Sequence, residues 1–196
     1  MVCKAKTPED FANLNQVEEA LKACSSYLIE STIKRMGTSG ASKMDKTNSI
    51  FGLDIVTMAQ LHIKFILFKM MKNMTADIHC EKLRGHMFNL CTLMGLTFLQ
   101  EYKTNGFESG YFTKGTTDLI NEAVKILLVR LRPQAIPLVE LLHQPDSYLM
   151  SAVGNSYGDI YETHLDWAKN SRMNKNPGNI PDGFMEYIMP IMKGKL

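Results

Sequence analysis

Between Asn48 and Asn73 the apolar residues Phe51, Ile55, Met58, Leu61, Phe65 and Phe68 recur at steps of three and four. A strand would place its apolar side chains on every second residue, so a stripe of this length and period predicts one long helix with an apolar face. Ile63, Ile66 and Leu67 widen that face, which predicts a helix buried on more than one side. Nothing elsewhere in the chain alternates like a strand, and no internal repeat or low-complexity segment interrupts it.

The other segments read as helices as well. Thr7-Pro8-Glu9-Asp10 has the order of a helix start, with a capping hydroxyl, a proline in the first turn and acids near the positive end of the dipole. The helix it opens is expected to run to Met36 with a break near Asn13 to Asn15, and Gly37 to Ser42 reads as a flexible connection. After Thr75, a candidate cap, a third helix is expected from Asp77 to Tyr102, with Gly85 and Gly95 permitting close helix approach. Lys103 to Lys114 reads as an ordered loop pinned by Phe107, Tyr111 and Phe112. A fourth helix from Thr116 to Arg132 repeats Ile120, Val124, Leu127 and Leu131 and stops before Pro133. Pro137 falls inside a following short helix, and Pro145 follows it. The fold class is therefore all-α, an antiparallel helical bundle with an irregular carboxyl-terminal portion.

Composition narrows the function. A chain of 196 residues can bury a core without metals or disulfides. With 22 basic and 20 acidic residues scattered along it, a net charge of +2 gives no nucleic-acid footprint. Cys3, Cys24, Cys80 and Cys91 have irregular spacing and no Cys-x-x-Cys pair, as expected of reduced thiols in an intracellular protein. The start Met-Val-Cys-Lys-Ala-Lys has no apolar signal core, so the Asn73-Met74-Thr75 sequon reads as coincidence. The longest run without a charged residue, Gly85 to Gln100, is too short for a membrane span and contains His86, Asn89 and Gln100.

Candidate chemistry is sparse. His79, Cys80, His86 and Cys91 lie at spacings that do not converge as the i, i+4 pair of a zinc helix does. Ser147 or Ser151 with His143 or His164 and Asp146 lacks the Gly-x-Ser-x-Gly elbow that exposes a nucleophile. Glu162 and Asp166, four apart, read as solvated rather than as a catalytic pair. No Gly-x-Gly-x-x-Gly or Walker-type loop is present, so neither route to a dinucleotide is open.

The most distinctive segment is Gly154 to Lys175. Gly154 and Gly158 bracket a turn, and Asp159 is placed to cap a helix whose third residue, Glu162, can reach back to the capping amide. Ile160, His164 and Trp167 then fall on one side, with Tyr161, Leu165 and Ala168 beside them, which makes a short amphipathic docking helix. The Gly-x-x-Tyr-Glu-x-x-x-x-Trp-Ala run from Gly158 to Ala168, with Arg130 to Leu142 upstream, closely resembles the carboxyl-terminal helical domain of peroxisomal acyl-CoA oxidases. The resemblance is strongest from Leu119 to Lys175 and colinear from about Val17.

That resemblance implies a part of a flavoprotein that removes two hydrogens from an acyl-CoA and passes the electrons from FAD to oxygen, giving hydrogen peroxide. The family's catalytic glutamate lies in a Phe-Glu-Gly-x-Asn type motif of another domain, and neither it nor the flavin-binding residues can be carried onto any position here. The chain alone is therefore expected to be inactive. Residues 1–175 are expected to form the helical domain, and 176–196 a tail. The resemblance implies docking roles for Tyr161, Glu162, Trp167 and Ala168 against other domains or subunits, and a homodimer in the full enzyme. The ending Gly194-Lys195-Leu196 is similar to the Ser-Lys-Leu address read by the peroxisomal import receptor, departing from it at the glycine. The second reading is a non-catalytic interaction module derived from such an oxidase.

Overall fold

The computed structural model describes residues 2–155, 157–175, 180 and 183–194, all of them helical or irregular with no strand among them. The chain divides into two compact units, Met1–Ile136 and Pro137–Leu196.

In the first unit a 3-10 turn, Pro8–Ala12, precedes the long helix α1, Leu14–Thr38. The expected break falls at Asn13. The Asp10 carboxylate accepts the amides of Lys6 and Thr7 at 2.7 and 2.9 Å, and these bonds hold its carboxyl below the usual carboxylate range. The Asn13 side chain then accepts the Asn15 amide at 3.0 Å and opens α1. A single turn α2, Lys43–Asp45, and a π-helical turn, Lys46–Ile50, lead into α3, Gly52–Ala76.

The third long helix, α4, spans Glu81–Glu101 and so starts four residues later than the sequence suggests. The reason is local. The Thr75 hydroxyl is not a cap but donates back to the Met71 carbonyl at 2.8 Å, while the amides of Asp77 and Ile78 bond to Asn73 and Thr75, prolonging the end of α3. The remaining link, Asp77–Cys80, is short enough to make α3 and α4 antiparallel neighbours.

The Lys103 to Lys114 segment is not all loop: Lys103–Glu108 forms the short helix α5. The expected rings do pin the stretch after α5. Tyr111 and Phe112 are buried, the Phe112 amide donates to the Gly106 carbonyl at 2.9 Å, and Phe107 meets Phe112 edge-on with centroids 5.8 Å apart. Gln16 Nε2 donates to the Tyr111 hydroxyl at 3.1 Å, and burial pushes the pKa of that phenol up to about 12. Helix α6, Thr116–Leu131, tightens at Pro133 into a 3-10 turn, Arg132–Gln134, and continues as α7, Ala135–Glu140, with Pro137 inside it.

Within this unit α1 packs on α3 and α4, α4 packs on α6, α5 lies against α1, and the first 3-10 turn lies against α6. Val17, Leu21, Leu61, Phe68, Leu96, Leu99 and Ile120 form the fully buried centre. Gly95 marks a close approach of α4 to α1 and α3, because a Cβ there would stand 2.5 Å from both the Phe68 ring and Val17 Cγ1. Gly85, expected to do the same, has nothing within 4 Å of such a Cβ. Burial in this core pushes the thiols of Cys24 and Cys91 up to about 12 and about 11, which keeps both protonated and unreactive at neutral pH.

The ion pairs Arg35–Asp54, Lys64–Glu101 and Lys72–Glu18 tie α1 to α3 and α3 to α4. Partly exposed pairs of this kind contribute about 0–1 kcal/mol each, and Lys72–Glu18 is the least exposed of the three. The expectation that α3 is buried on more than one side is not met: Ile63, Ile66 and Leu67 are 57%, 39% and 50% exposed. Both sides of the helix are apolar, yet among the described residues the side carrying Leu61, Phe68 and Thr75 is the one that is buried.

The second unit holds the short helix α8, Asp146–Leu149, the helix α9, Ile160–Asn170, a 3-10 turn, Arg172–Lys175, a π-helical turn, Phe184–Ile188, and α10, Met189–Met192. Ala152 is its one buried apolar residue among those described. No single helix among the described residues is long and apolar enough to cross a membrane.

Candidate functional site

The turn before α9 is built by Asn155. Its Oδ1 accepts the amides of Tyr157 and Gly158 at 3.1 and 2.8 Å, and its Nδ2 donates to Asp159 Oδ1 at 2.7 Å and Thr163 Oγ1 at 3.2 Å. Gly158 sits at φ 74°, a left-handed conformation that a glycine adopts without strain. The Thr163 hydroxyl also donates to Asp159 Oδ1, at 2.9 Å. This bond, and then the one from Asn155, holds the Asp159 carboxyl below its usual range.

The capping arrangement therefore differs from the expectation. Asp159 makes no side-chain cap bond to the helix amides, and the Asp159–Glu162 box does not form. Asn155 and Thr163 were the residues missed. Their signal was an Asn three residues before a Gly, the pattern of a side chain that folds the backbone over itself.

Helix α9 has no buried residue. Ile160 and Thr163 are half-buried, whereas Tyr161 is 85% exposed, Leu165 54% and Trp167 49%. His164 and Trp167 meet edge-on with centroids 5.9 Å apart, which confirms that they share one side. Glu162 and Ala168 are exposed. An aromatic and apolar surface of this kind can dock a partner. Of the three terminal residues, Gly194 lies in a turn at φ 63°, and Lys195 and Leu196 fall outside the described residues.

The candidate metal ligands around α4 do not converge. Cys91 is buried while Cys80 is exposed just before α4, and no group of three or more His, Cys, Asp or Glu converges among the described residues. Ser151 Oγ is used to accept the Gly154 amide at 3.0 Å. Two concavities of about 270 Å³ each lie in the first unit, one beside Phe11, Leu127 and Arg130, the other beside Asn13, Lys72 and Arg84. Each is smaller than the 300–1,000 Å³ typical of ligand pockets.

Comparison with known proteins decides the family. The acyl-CoA oxidase family model matches residues 13–193. The chain belongs to the acyl-CoA oxidase family. Peroxisomal acyl-coenzyme A oxidase 1 of Phascolarctos cinereus is 24% identical over 93% of this chain and 28% of its own length. The Arabidopsis thaliana protein of the same name is 26% identical over 96% of this chain and 28% of its own. The chain thus spans a little over a quarter of the length of these oxidases.

Solved acyl-CoA oxidases share the fold. Tomato acyl-CoA oxidase superposes on 97% of this chain with a TM-score of 0.82 and 25% identity, using 29% of its own length. Acyl-CoA oxidase-1 of Caenorhabditis elegans, solved with FAD and ATP, covers 93% of this chain with a TM-score of 0.78 at 18% identity, and the match takes 28% of that oxidase.

Proposed function

We propose that this chain is the carboxyl-terminal helical part of a peroxisomal, FAD-dependent acyl-CoA oxidase, the enzyme that converts an acyl-CoA and oxygen into a trans-2-enoyl-CoA and hydrogen peroxide in fatty acid β-oxidation. The observation that carries this reading is the family match from residue 13 to 193, which includes both the bundle and α9. FAD in such an enzyme supplies the electron transfer to oxygen. No residue of this chain is assigned to it, and the role of these residues is to support the fold and the dimer.

In this reading residues 1–175 are the helical domain and 176–196 a tail. Tyr161, Trp167 and Ala168 dock α9 against other domains or subunits of the oxidase, with Glu162 at the rim of the contact. Their exposure supports this role, since an aromatic pair left in water is the kind of anchor that interfaces use. The test is replacement of the matched stretch of Arabidopsis thaliana acyl-CoA oxidase 1 by this chain, followed by assay of flavin content and peroxide release.

Location follows from the relatives, several of which are named as peroxisomal. Gly194, Lys195 and Leu196 are proposed as the address read by the import receptor. A fluorescent fusion that preserves this ending is expected to give puncta that disperse when Leu196 is deleted. A diffuse signal indifferent to the deletion counts against the address.

A further inference from the structure

The start of α1, the end of α3 and the start of α4 meet around one of the two concavities, of about 270 Å³. Hydrogen bonds already made around it leave its polar lining rich in donors. Asn13 Oδ1 is taken by the Asn15 amide and Asn15 Oδ1 by Lys72 Nζ, so what each of these side chains has left to offer is its NH2 group. The Thr75 hydroxyl spends its proton on the Met71 carbonyl. Lys72 and Arg84 add an ammonium and a guanidinium, and no Asp or Glu stands among the described lining residues.

We infer that this concavity binds a phosphate group. Both cations keep donors for it. The Lys72 ammonium has three N–H bonds, of which Asn15 and Glu18 take two. Arg84 makes one long bond, at 3.4 Å to the Ile78 carbonyl, and belongs to none of the ion pairs among the described residues, so most of its planar fork is open.

A phosphate group suits this donor set better than a carboxylate does. It presents three strong acceptor oxygens, enough for the guanidinium, the ammonium and the two amides together, where a carboxylate presents two. Leu14, buried, and Phe88, half-buried, line the same hollow and give an apolar wall to the body of a phosphate ester. The opposing charge is Glu18, which holds Lys72 from outside the lining. The site makes no use of the oxidase reading, so its failure would leave the family assignment and the proposed role untouched.

The experiment is calorimetric titration of the purified chain with inorganic phosphate, phenyl phosphate and acetate, at fixed ionic strength in a phosphate-free buffer. Saturable binding of phosphate at one site per chain is expected with a Kd of about 1 mM or tighter, and acetate should bind weaker by about tenfold or more. Phenyl phosphate bound tighter than inorganic phosphate assigns the site to a phosphate ester, and equal affinities assign it to the free ion; both uphold it. Arg84→Gln, at an exposed position, should weaken phosphate about tenfold or more with helical content unchanged, the loss expected of a charge-assisted hydrogen bond. Glu18→Gln should strengthen binding, because it releases Lys72 from a carboxylate. Lys82→Gln, exposed on α4 and outside the lining, should leave it unchanged. No saturable phosphate binding overturns the proposal. So does acetate bound as tightly as phosphate, an Arg84→Gln or Glu18→Gln chain that binds as the parent does, or an equal loss in Lys82→Gln.

Discussion

Phe68→Ala should lower the unfolding free energy of the helical bundle by about 3–5 kcal/mol, the usual cost of deleting a fully buried aromatic ring. The ring sits on the inward side of α3, over the backbone of Gly95 in α4 and close to where α1 brings in Val17. Removing it leaves a void where three helices meet, and helices braced on one another by ion pairs cannot close in freely to fill it. Against a total of about 5–15 kcal/mol for an ordinary domain, that is a large share. Urea unfolding followed by circular dichroism reads it as a fall in midpoint. A loss below about 1 kcal/mol would mean that Phe68 is not at the centre of the core.

Gly95→Ala should cost about 1–3 kcal/mol through overpacking, even though alanine is the better helix former by about 1 kcal/mol. The new methyl would lie 2.5 Å from both the Phe68 ring and Val17 Cγ1, which is inside contact distance, so α1 and α3 must both draw away from α4. Gly85→Ala is the matched comparison on the same helix. With nothing within 4 Å, it should stabilise by up to about 1 kcal/mol. Because Gly95 and Phe68 touch, their effects should not add: in the Phe68→Ala background one of the two obstacles is gone, and Gly95→Ala should cost less there. Equal effects at Gly85 and Gly95 would contradict the close approach.

Periodicity found α3 and α6, and the start signal at Thr7 to Asp10 found α1, because each long helix is opened by local capping chemistry or buries a stripe at the period of its own backbone. It could not say which side of α3 the bundle fills. Leu61 and Phe68 point inward and Ile63 and Leu67 outward, yet all are equally apolar, and only packing separates them. Local hydrogen-bond competition accounts for the other departures. Thr75 bonds back within α3 instead of capping the next helix, and Asn155 together with Thr163 takes the Asp159 carboxylate that was expected to cap α9. Helix α9 was legible as amphipathic, and the run from Gly158 to Ala168 as similar to an oxidase element. The network that fixes its turn depends on side chains eight residues apart, Asn155 and Thr163, which no periodicity connects.

The central claim is that this chain supplies the helical support of an acyl-CoA oxidase while the chemistry lies in other parts of the enzyme. Peroxide release by the exchanged Arabidopsis thaliana oxidase tests it most directly. The hybrid carrying this chain is expected to bind flavin and release peroxide when given an acyl-CoA, whereas the same oxidase with the matched stretch deleted, and this chain by itself, release none. A folded hybrid no more active than the deletion, or flavin-dependent turnover by the chain alone, would contradict it.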